Sequence, residues 1–361
     1  MSASEQLSRR ELEYYSRQIV LKEIGYNGQL RLRKARVCLV GVGGLGSPIA
    51  TQLAAIGIGH LRLVDRDIVE YANLHRQYLY DADSIGYPKV EIAAKKLRKL
   101  NPNVEVEPLP LSVTSLNASE VVNRMDVVVD GLDHMAPRYA VNRASVKQGI
   151  PYVFGSAITT MGNVSTMIPG KTPCLECFYG NLKDSDLASC SVVGIHPSVL
   201  SIIAGIEVSE TVKLVLGEEP TLAGELLICN LTDLSFDRIS VNKSEECPVC
   251  GARPKKQPMV LKEDVLEEVC GREGQRTFVF NPGEPVRVNM DLLYDLLDRR
   301  RLEVTTRAEM GATFTIDGQK SVTILSSGVM IVEGFRDGEE VRRIYKELVV
   351  EGLNVRSDVM S

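Results

Sequence analysis

The chain carries, at residues 37–46, the sequence Val37-Cys38-Leu39-Val40-Gly41-Val42-Gly43-Gly44-Leu45-Gly46. A short apolar run bounded by glycine is typical of a buried parallel strand. The residues that follow, 47–56, predict a helix. A strand, a glycine-rich loop and a helix in this order match a nucleotide-binding fingerprint, because glycines let the backbone approach phosphate groups at a helix N-terminus.

The pattern continues as an alternation of strands and helices. His60–Asp65 reads as a second strand, and Lys89–Leu100 reads as a helix that begins after Pro88 and ends before Asn101. Further strands are predicted at 104–111 and 126–130, and a further helix at 137–148. The alternation predicts an α/β fold, a doubly wound and mostly parallel Rossmann-like sheet.

The pattern changes after residue 150. Strands are predicted at 152–154 and 163–167 with no long helix between them, then one long helix at 198–216, then strands at 224–232 and 236–241. We expect these strands to form a mixed extension of the sheet, tied together by zinc. Arg253–Pro258 has the composition of a linker. We therefore expect two domains, residues 1–258 and residues 259–361, the second a smaller α+β module of unknown role. In this module strands are predicted at 277–280, 302–306, 313–316, 322–325 and 329–332, and helices at 290–300 and 338–349.

Four cysteines form two Cys-x-x-Cys pairs, Cys174 with Cys177 and Cys247 with Cys250. This spacing is typical of a structural zinc site, because zinc prefers four thiolates in a tetrahedron and a tight turn can offer two of them. Two unrelated turns and a disulfide framework are the alternatives. Disulfides are disfavoured because the long chain shows no export signal.

Composition excludes several classes of protein. The net charge of −5 argues against a general nucleic-acid binder. The N-terminus lacks the layout of a signal peptide, and no stretch of about eighteen apolar residues exists, so no membrane association is expected. Eight cysteines, four of them in metal-like pairs, fit the reducing cytoplasm, where we expect the protein to be localised.

The charged residues that follow the glycine loop help to decide between two ligands, NAD and ATP. Asp65 follows the loop at the distance expected for a ribose-binding carboxylate, so an NAD-dependent oxidoreductase is one candidate. Arg76 and Lys89, with acidic residues at Asp130 and Asp133, favour ATP instead. Phosphoanhydride cleavage requires cations to neutralise the triphosphate and a carboxylate to hold magnesium.

The chain resembles the E1-like adenylyltransferases, the family of MoeB, ThiF and the ubiquitin-activating enzymes. The resemblance covers about residues 10–255 and does not extend past residue 260. It rests on these motifs: Tyr15-Ser16-Arg17-Gln18-Ile19, Gly41-Val42-Gly43-Gly44-Leu45-Gly46, Asp65 with Asp67, Asn73-Leu74-His75-Arg76-Gln77, Gly86-Tyr87-Pro88-Lys89, Asp130-Gly131-Leu132-Asp133 and both cysteine pairs.

The resemblance implies a reaction. The C-terminal Gly-Gly carboxylate of a small ubiquitin-like carrier of the MoaD/ThiS type attacks the α-phosphorus of ATP, giving an acyl-adenylate and pyrophosphate. This is the activating step for sulfur transfer to molybdopterin, thiamine or tRNA. ATP, Mg²⁺ and Zn²⁺ are the implied cofactors, and a sulfurtransferase or a cysteine desulfurase is an implied partner.

The resemblance also implies residue roles. Asp65 is the ribose-binding carboxylate and Asp133 positions magnesium, while Asp67 either binds nucleotide or shapes its loop. Arg17 reaches the ATP site of the partner subunit in a homodimer, although Tyr14 stands where the family commonly has a further arginine. The remaining nucleotide ligands are Gly41, Gly43, Gly44, Gly46, Asn73, Arg76, Gln77 and Lys89.

Several alternatives stay open. Cys190 accepts the acyl group as a thioester, takes part in acyl persulfide chemistry, or has no role. Within the family, the substrate is a carrier protein or else a peptide or another carboxylate. Outside it, the chain is an NAD-dependent oxidoreductase or a non-catalytic scaffold; retention of Arg76, Lys89 and Asp133 together speaks against the scaffold.

Overall fold

A computed structural model of the chain describes residues 6–186, 193–261, 264–269, 276–284 and 286–360. Within these ranges the strands form two sheets, one of eight strands and one of six. The strands of the first sheet are β1 (Arg36–Val40), β2 (His60–Val64), β3 (Glu105–Leu109), β4 (Val127–Asp130), β5 (Tyr152–Ile158), β6 (Met161–Met167), β7 (Glu225–Asn230) and β8 (Ser235–Ser240).

The eight-stranded sheet has the order β3-β2-β1-β4-β5-β6-β7-β8. Its first five strands are parallel: Val37 of β1 pairs with Leu61 on one side and with Val127 on the other. The last three strands are antiparallel: β6 pairs with β5, β7 pairs with β6, and β8 pairs with β7. The predicted Rossmann-like sheet with a mixed extension is therefore confirmed.

Helices cover both faces of this sheet. The helices in the same part of the chain are α1 (Arg9–Tyr14), α2 (Ser16–Ile19), α3 (Gly25–Lys34), α4 (Gly46–Ile56), α5 (Lys89–Leu100), α6 (Ala118–Val121), α7 (Met135–Gln148), α8 (Leu175–Tyr179) and α9 (Pro197–Leu216). Successive side chains of a strand point to opposite faces. Accordingly Val37 and Leu39 join a core with α4, α5 and α9, whereas Cys38 and Val40 join a core with α6 and α7.

The six-stranded sheet is antiparallel, in the order β11-β12-β13-β14-β10-β9. Its strands and helices are β9 (Leu266–Val269), β10 (Thr277–Phe280), α10 (Met290–Arg299), β11 (Glu303–Arg307), β12 (Gly311–Ile316), β13 (Lys320–Leu325), β14 (Met330–Glu333) and α11 (Gly338–Tyr345). Both helices pack on one face of the sheet. This arrangement agrees with the predicted α+β architecture.

Two details of the six-stranded sheet differ from the sequence-based expectation. Strand β9 was not predicted, because two adjacent acidic residues, Glu267 and Glu268, break the apolar pattern. The last helix was expected to run to Val349, but α11 ends at Tyr345 and a π-helical turn, Lys346–Val350, follows it.

The topology brings three loops to one edge of the eight-stranded sheet. Parallel strands β1, β2 and β4 end at this edge, followed by Gly41, Asp65 and Gly131 respectively. Strand order reverses between β1 and β4, and such a switch point forms a crevice for ligands. Among the described residues, no helix combines the length and apolarity that crossing a membrane requires.

Candidate functional site

The glycine loop after β1 is packed directly against the loop after β4. Gly41 has φ of +89°, and a Cβ on it would lie 2.4 Å from the Gly131 carbonyl oxygen. A Cβ on Gly46 would lie 1.9 Å from the Gly41 carbonyl oxygen. Both positions therefore require glycine. Gly43 is less crowded, since a Cβ there would meet only the Gln77 amide nitrogen, at 3.7 Å.

Asp65 joins the glycine loop to the loop after β2. Its Oδ2 accepts a hydrogen bond from the Val42 amide at 2.7 Å, and its Oδ1 accepts one from the Asp67 amide at 2.8 Å. Burial raises the pKa of Asp65 to about 6, although the nearby Lys89 charge opposes the rise. The Tyr80 hydroxyl donates to the Val42 carbonyl at 2.8 Å. The loop is thus held from both sides.

Lys89 lies at the first position of α5 and points at the loop after β2. Its side chain is 5% exposed, and Nζ lies 2.8 Å from Asp67 Oδ2. The backbone amide of Lys89 also donates to the Asp67 carbonyl at 2.9 Å. Desolvation raises the pKa of Asp67, but the charges of Lys89 and Arg66 outweigh this effect and lower it. Asp67 is therefore ionised near neutral pH.

The segment 73–77 faces the glycine loop. The Arg76 Nε atom lies 3.6 Å from the position of a Cβ on Gly44, and Arg76 Nη1 donates to the Ala72 carbonyl at 2.7 Å. Asn73 Oδ1 accepts from the Glu70 amide at 3.1 Å. Gln77 Oε1, and Ser47 Oγ on α4, are buried without a hydrogen-bond partner among the described residues. Unpaired buried polar atoms of this kind are costly unless a ligand or water satisfies them.

A buried network anchors the loop after β4. Asp130 is fully buried, and its Oδ2 accepts from Arg138 Nε at 3.0 Å and from the Tyr152 hydroxyl at 2.5 Å. Burial raises the pKa of Asp130, and the Arg138 charge opposes the rise. Arg138 also donates to the carbonyls of Leu132 and Gly155. The network fixes the backbone that presents Asp133.

Asp133 itself is exposed and pairs with the next residue. Its Oδ1 lies 2.7 Å from His134 Nδ1. Desolvation raises the pKa of Asp133, but the hydrogen bond and charge of His134, together with Lys89, outweigh it and lower the pKa. The pKa of His134 rises to about 9, chiefly through the same hydrogen bond to Asp133. Asp133 is thus an ionised carboxylate at the mouth of the crevice.

The two cysteine pairs meet at one place in the fold. The sulfur atoms of Cys174 and Cys247 lie 3.6 Å apart, and those of Cys177 and Cys250 lie 3.4 Å apart. All four lie within 4.8 Å of one another. A tetrahedron with zinc–sulfur bonds of about 2.3 Å places sulfurs about 3.8 Å apart. The donor set and its spacing therefore fit a zinc ion.

The structure brings together most of the nucleotide-site residues expected from the sequence, with two exceptions. Arg17 lies exposed on α2. Cys190 falls in 187–192, outside the described residues. Sequence reasoning also assigned no role to Arg66 or Arg138. Arg66 stands between Asp65 and Asp67, and a cation between two carboxylates was a signal that could have been used.

Comparison with known proteins identifies the family. The chain belongs to the ThiF family, whose model matches residues 15–249. It is 38% identical to a sulfur carrier protein adenylyltransferase of Thermus thermophilus, over 70% of this chain and 96% of the relative. It is 33% identical to the sulfur carrier protein ThiS adenylyltransferase of Bacillus subtilis, over 93% of this chain and 98% of the relative. This match extends past residue 260, so the expectation that the resemblance ends there is wrong.

In a further group of relatives, the region that matches this chain is only part of a longer protein. The chain is 39% identical to the adenylyltransferase and sulfurtransferase MOCS3 of Sus scrofa, but it covers only 55% of that protein. Among solved structures, MccB of E. coli with succinimide matches with a TM-score of 0.57 and 25% identity, over 70% of this chain and 75% of MccB. PaaA matches with a TM-score of 0.56 and 28% identity, over 66% of this chain and 76% of that structure.

These findings confirm the enzyme class. The relatives from Thermus thermophilus, Bacillus subtilis and Sus scrofa are all named as adenylyltransferases, and this chain is an E1-like adenylyltransferase. An adenylyltransferase uses ATP and a metal ion, and the alternative of an NAD-dependent oxidoreductase is therefore not supported.

Proposed function

We propose that this protein adenylates the C-terminal glycine carboxylate of a ubiquitin-like sulfur-carrier protein, releasing pyrophosphate, as the activating step for sulfur transfer. Two relatives that support the proposal are named for sulfur carriers, and the Bacillus subtilis relative aligns with nearly the whole chain. One observation carries the proposal: at the switch point of the sheet, Asp65 accepts a hydrogen bond from the glycine loop, and the Lys89–Asp67 ion pair lies directly beside Asp65.

The charges of this cluster suit adenylation. In the reaction, a carrier carboxylate oxygen forms a bond to the α-phosphorus of ATP, and the bond between that phosphorus and the bridging oxygen of pyrophosphate breaks. Negative charge gathers on the leaving pyrophosphate. Lys89 and Arg76 are the cations that we assign to neutralise it, and no protein nucleophile is needed.

The remaining polar groups are assigned to binding. The half-buried Asp65, whose orientation is fixed by hydrogen bonds from the Val42 and Asp67 amides, is proposed to hold the ribose hydroxyls. Asn73 and Gln77 are proposed to contact phosphate oxygens. The unpaired Ser47 hydroxyl supports a phosphate site here, because it can donate to a phosphate oxygen. The unpaired Gln77 Oε1 is an acceptor, so bound water or a hydroxyl of the substrate would satisfy it, and only the amide nitrogen of Gln77 can donate to phosphate.

Two metal ions are part of the proposal. Asp133, ionised and exposed, is proposed to position Mg²⁺, which supplies charge neutralisation on the triphosphate. The four sulfurs of Cys174, Cys177, Cys247 and Cys250 are proposed to hold one Zn²⁺. Four protein ligands leave no open coordination position, so this ion has a structural and not a catalytic role. Thiolates that must stay reduced also suit a cytoplasmic setting.

The proposal extends to the domains of the chain, its assembly into a dimer and the role of Cys190. Residues 1–258 form the adenylyltransferase domain and residues 259–361 a smaller module. Arg17 contributes to the ATP site of a second subunit in a homodimer. The Cys190 thiolate is proposed to attack the acyl carbon of the carrier adenylate, so that a thioester forms and AMP leaves, and a sulfurtransferase or cysteine desulfurase then provides sulfur.

The test is ATP–pyrophosphate exchange in the presence of a small ubiquitin-like protein ending in Gly-Gly. We expect exchange with this carrier and none with a carrier that lacks the last glycine. Asp133→Ala and Arg76→Ala should each reduce exchange about a hundredfold or more, as is typical when charge compensation in an active site is lost. Asp291→Asn, an exposed carboxylate at the start of α10, is the control. Exchange that is driven equally well by a short peptide would support peptide adenylation instead.

A further inference from the structure

Two sets of contacts join the six-stranded sheet to the nucleotide site. The first involves Arg66, the residue between Asp65 and Asp67. Arg66 Nη2 lies 2.9 Å from Glu267 Oε2 on β9. Arg66 Nη1 donates to Ser112 Oγ at 3.3 Å. The Ser112 hydroxyl donates to Asn281 Oδ1, and Asn281 Nδ2 donates to Glu267 Oε1 at 2.7 Å. The four side chains thus form a closed ring, with two members from each side.

The second set of contacts holds the start of α5. Thr313 Oγ1 on β12 donates to the Gly86 carbonyl at 3.1 Å. Gly86 has φ of +84°, and a Cβ there would lie 2.5 Å from Thr306 Oγ1 of β11. The buried Glu91 carboxylate accepts from the backbone amides of Glu309 and Met310, at 3.2 and 2.8 Å. These contacts lie on either side of Lys89.

The two sets of contacts hold the two chain segments that carry the Asp67–Lys89 ion pair. Asp67 follows Arg66 directly, and Lys89 lies between Gly86 and Glu91. The contacts from the six-stranded sheet therefore bracket both chain segments that carry the Asp67–Lys89 pair. The first set of contacts also fixes the position of the Arg66 guanidinium, which pairs with Glu267. Its guanidinium is half-buried against Glu267, although Asp67 and Asp133 are close enough to influence it.

We propose that Glu267 and Asn281 are positioning residues of the nucleotide site, which hold Arg66 away from the carboxylates of Asp67 and Asp133. This inference rests on the proposed function, because it assigns those carboxylates to the Mg²⁺–ATP site. Arginine stays charged at any relevant pH. Without Glu267 its guanidinium would pair with the nearest remaining carboxylates, since an unpaired half-buried cation is costly. It would then compete with the metal ion.

The experiment measures binding of α,β-methylene ATP with Mg²⁺ by calorimetry, on the full chain and without any carrier. Glu267→Gln should weaken binding roughly tenfold, as expected when a charged hydrogen-bonded pair is lost, and should raise the Mg²⁺ concentration for half-saturation. The matched control is Glu268→Gln, on the same strand. Glu268 pairs with Arg276 and not with Arg66, so its variant should bind within about twofold of the wild type.

A second variant separates positioning from a general loss of structure. If Glu267 acts through Arg66, then in an Arg66→Gln background the Glu267→Gln change should alter binding by no more than about twofold. A merely structural role of Glu267 would instead give the same tenfold loss in both backgrounds. Asn281→Ala should shift the Mg²⁺ requirement in the same direction by a few-fold, and it carries the test should Glu267→Gln fail to fold.

Equal binding by Glu267→Gln and Glu268→Gln would overturn the inference, as would a tenfold loss that persists without Arg66. The proposed function is tested by a different outcome from the one that tests Glu267 and Asn281. If the wild type binds the analogue and no Gly-Gly carrier supports pyrophosphate exchange, the carrier proposal is wrong, while the binding constants still decide the role of Glu267 and Asn281.

Discussion

Lys89 Nζ lies 2.8 Å from Asp67 Oδ2, with the lysine side chain almost fully buried and the carboxylate open to solvent. The pair places a fixed positive charge beside the glycine loop. A buried cation that is already paired on one side is preorganised for an anion on the other, and preorganised charge is the main means by which enzymes stabilise a charged transition state.

We expect Lys89→Met to reduce carrier-dependent ATP–pyrophosphate exchange about a hundredfold, because the developing charge on pyrophosphate loses its cation. Lys96→Met is the matched control. Lys96 lies on the same helix and pairs with Asp81 at the surface, so its loss should leave exchange near the wild-type rate. Exchange by Lys89→Met within about threefold of the wild type would show that another residue meets the phosphates.

The Asp133–His134 pair predicts a pH dependence. Because the pKa of His134 is raised to about 9, the pair's stabilisation is complete below the ordinary histidine pKa of about 6.5 and is lost as pH rises through about 9. NMR titration of the nucleotide-free protein should show the His134 midpoint well above 6.5. Assignment is simplified because the chain has four histidines.

Asp133→Asn should move the His134 midpoint down toward 6.5, since both the hydrogen bond to a carboxylate and its charge are removed. Asp291→Asn should leave the midpoint in place. The pair is exposed, so added salt should also lower the midpoint in the wild type. A midpoint that is the same in the wild type and Asp133→Asn would refute the pairing.

The cysteine cluster predicts one zinc ion per chain and a loss of stability when a ligand is removed. Cys177→Ser and Cys250→Ser should each bind less than half an equivalent of zinc, and each should lower the melting temperature by at least about 5 °C. Cys229→Ala is the control, because Cys229 is a buried thiol of β7 outside the cluster. It should retain a full equivalent. Freshly purified wild-type protein with four free thiols and little zinc would disprove the site.

The proposed role of Arg17 predicts complementation between inactive chains. Mixing Arg17→Ala chains with Asp133→Ala chains should restore part of the exchange activity. In a mixed dimer, one site combines an intact Asp133 with the intact Arg17 of the other subunit. Arg10→Ala, an exposed position on α1, should be active on its own. If subunit exchange is verified and activity does not return, Arg17 does not act across the dimer.

The local signals in the sequence predicted the central unit well. Strand β1, the glycine loop and α4 follow from an apolar run, four glycines and a helical composition that are contiguous in the chain. The bounds of α5, Lys89–Leu100, were predicted as observed, because Pro88 starts the helix and the Asn101-Pro102 pair stops it. Ser8 and Glu11 form a capping box at the start of α1, which likewise depends on residues close together in the chain.

The sequence by itself therefore determined the Rossmann-like sheet, the grouping of Asp65, Asp67 and Lys89 around its glycine loop, and the four-cysteine cluster. These depend on spacing within short segments and on the rule that parallel strands end at one edge. The tertiary structure alone decided that Arg66 pairs with Glu267 and that Gly86 packs against Thr306. Both contacts join residues far apart in the chain, and strand β9, which carries Glu267, has no apolar pattern of its own. Its place is set by backbone pairing with β10, and backbone hydrogen bonds are the same for every sequence.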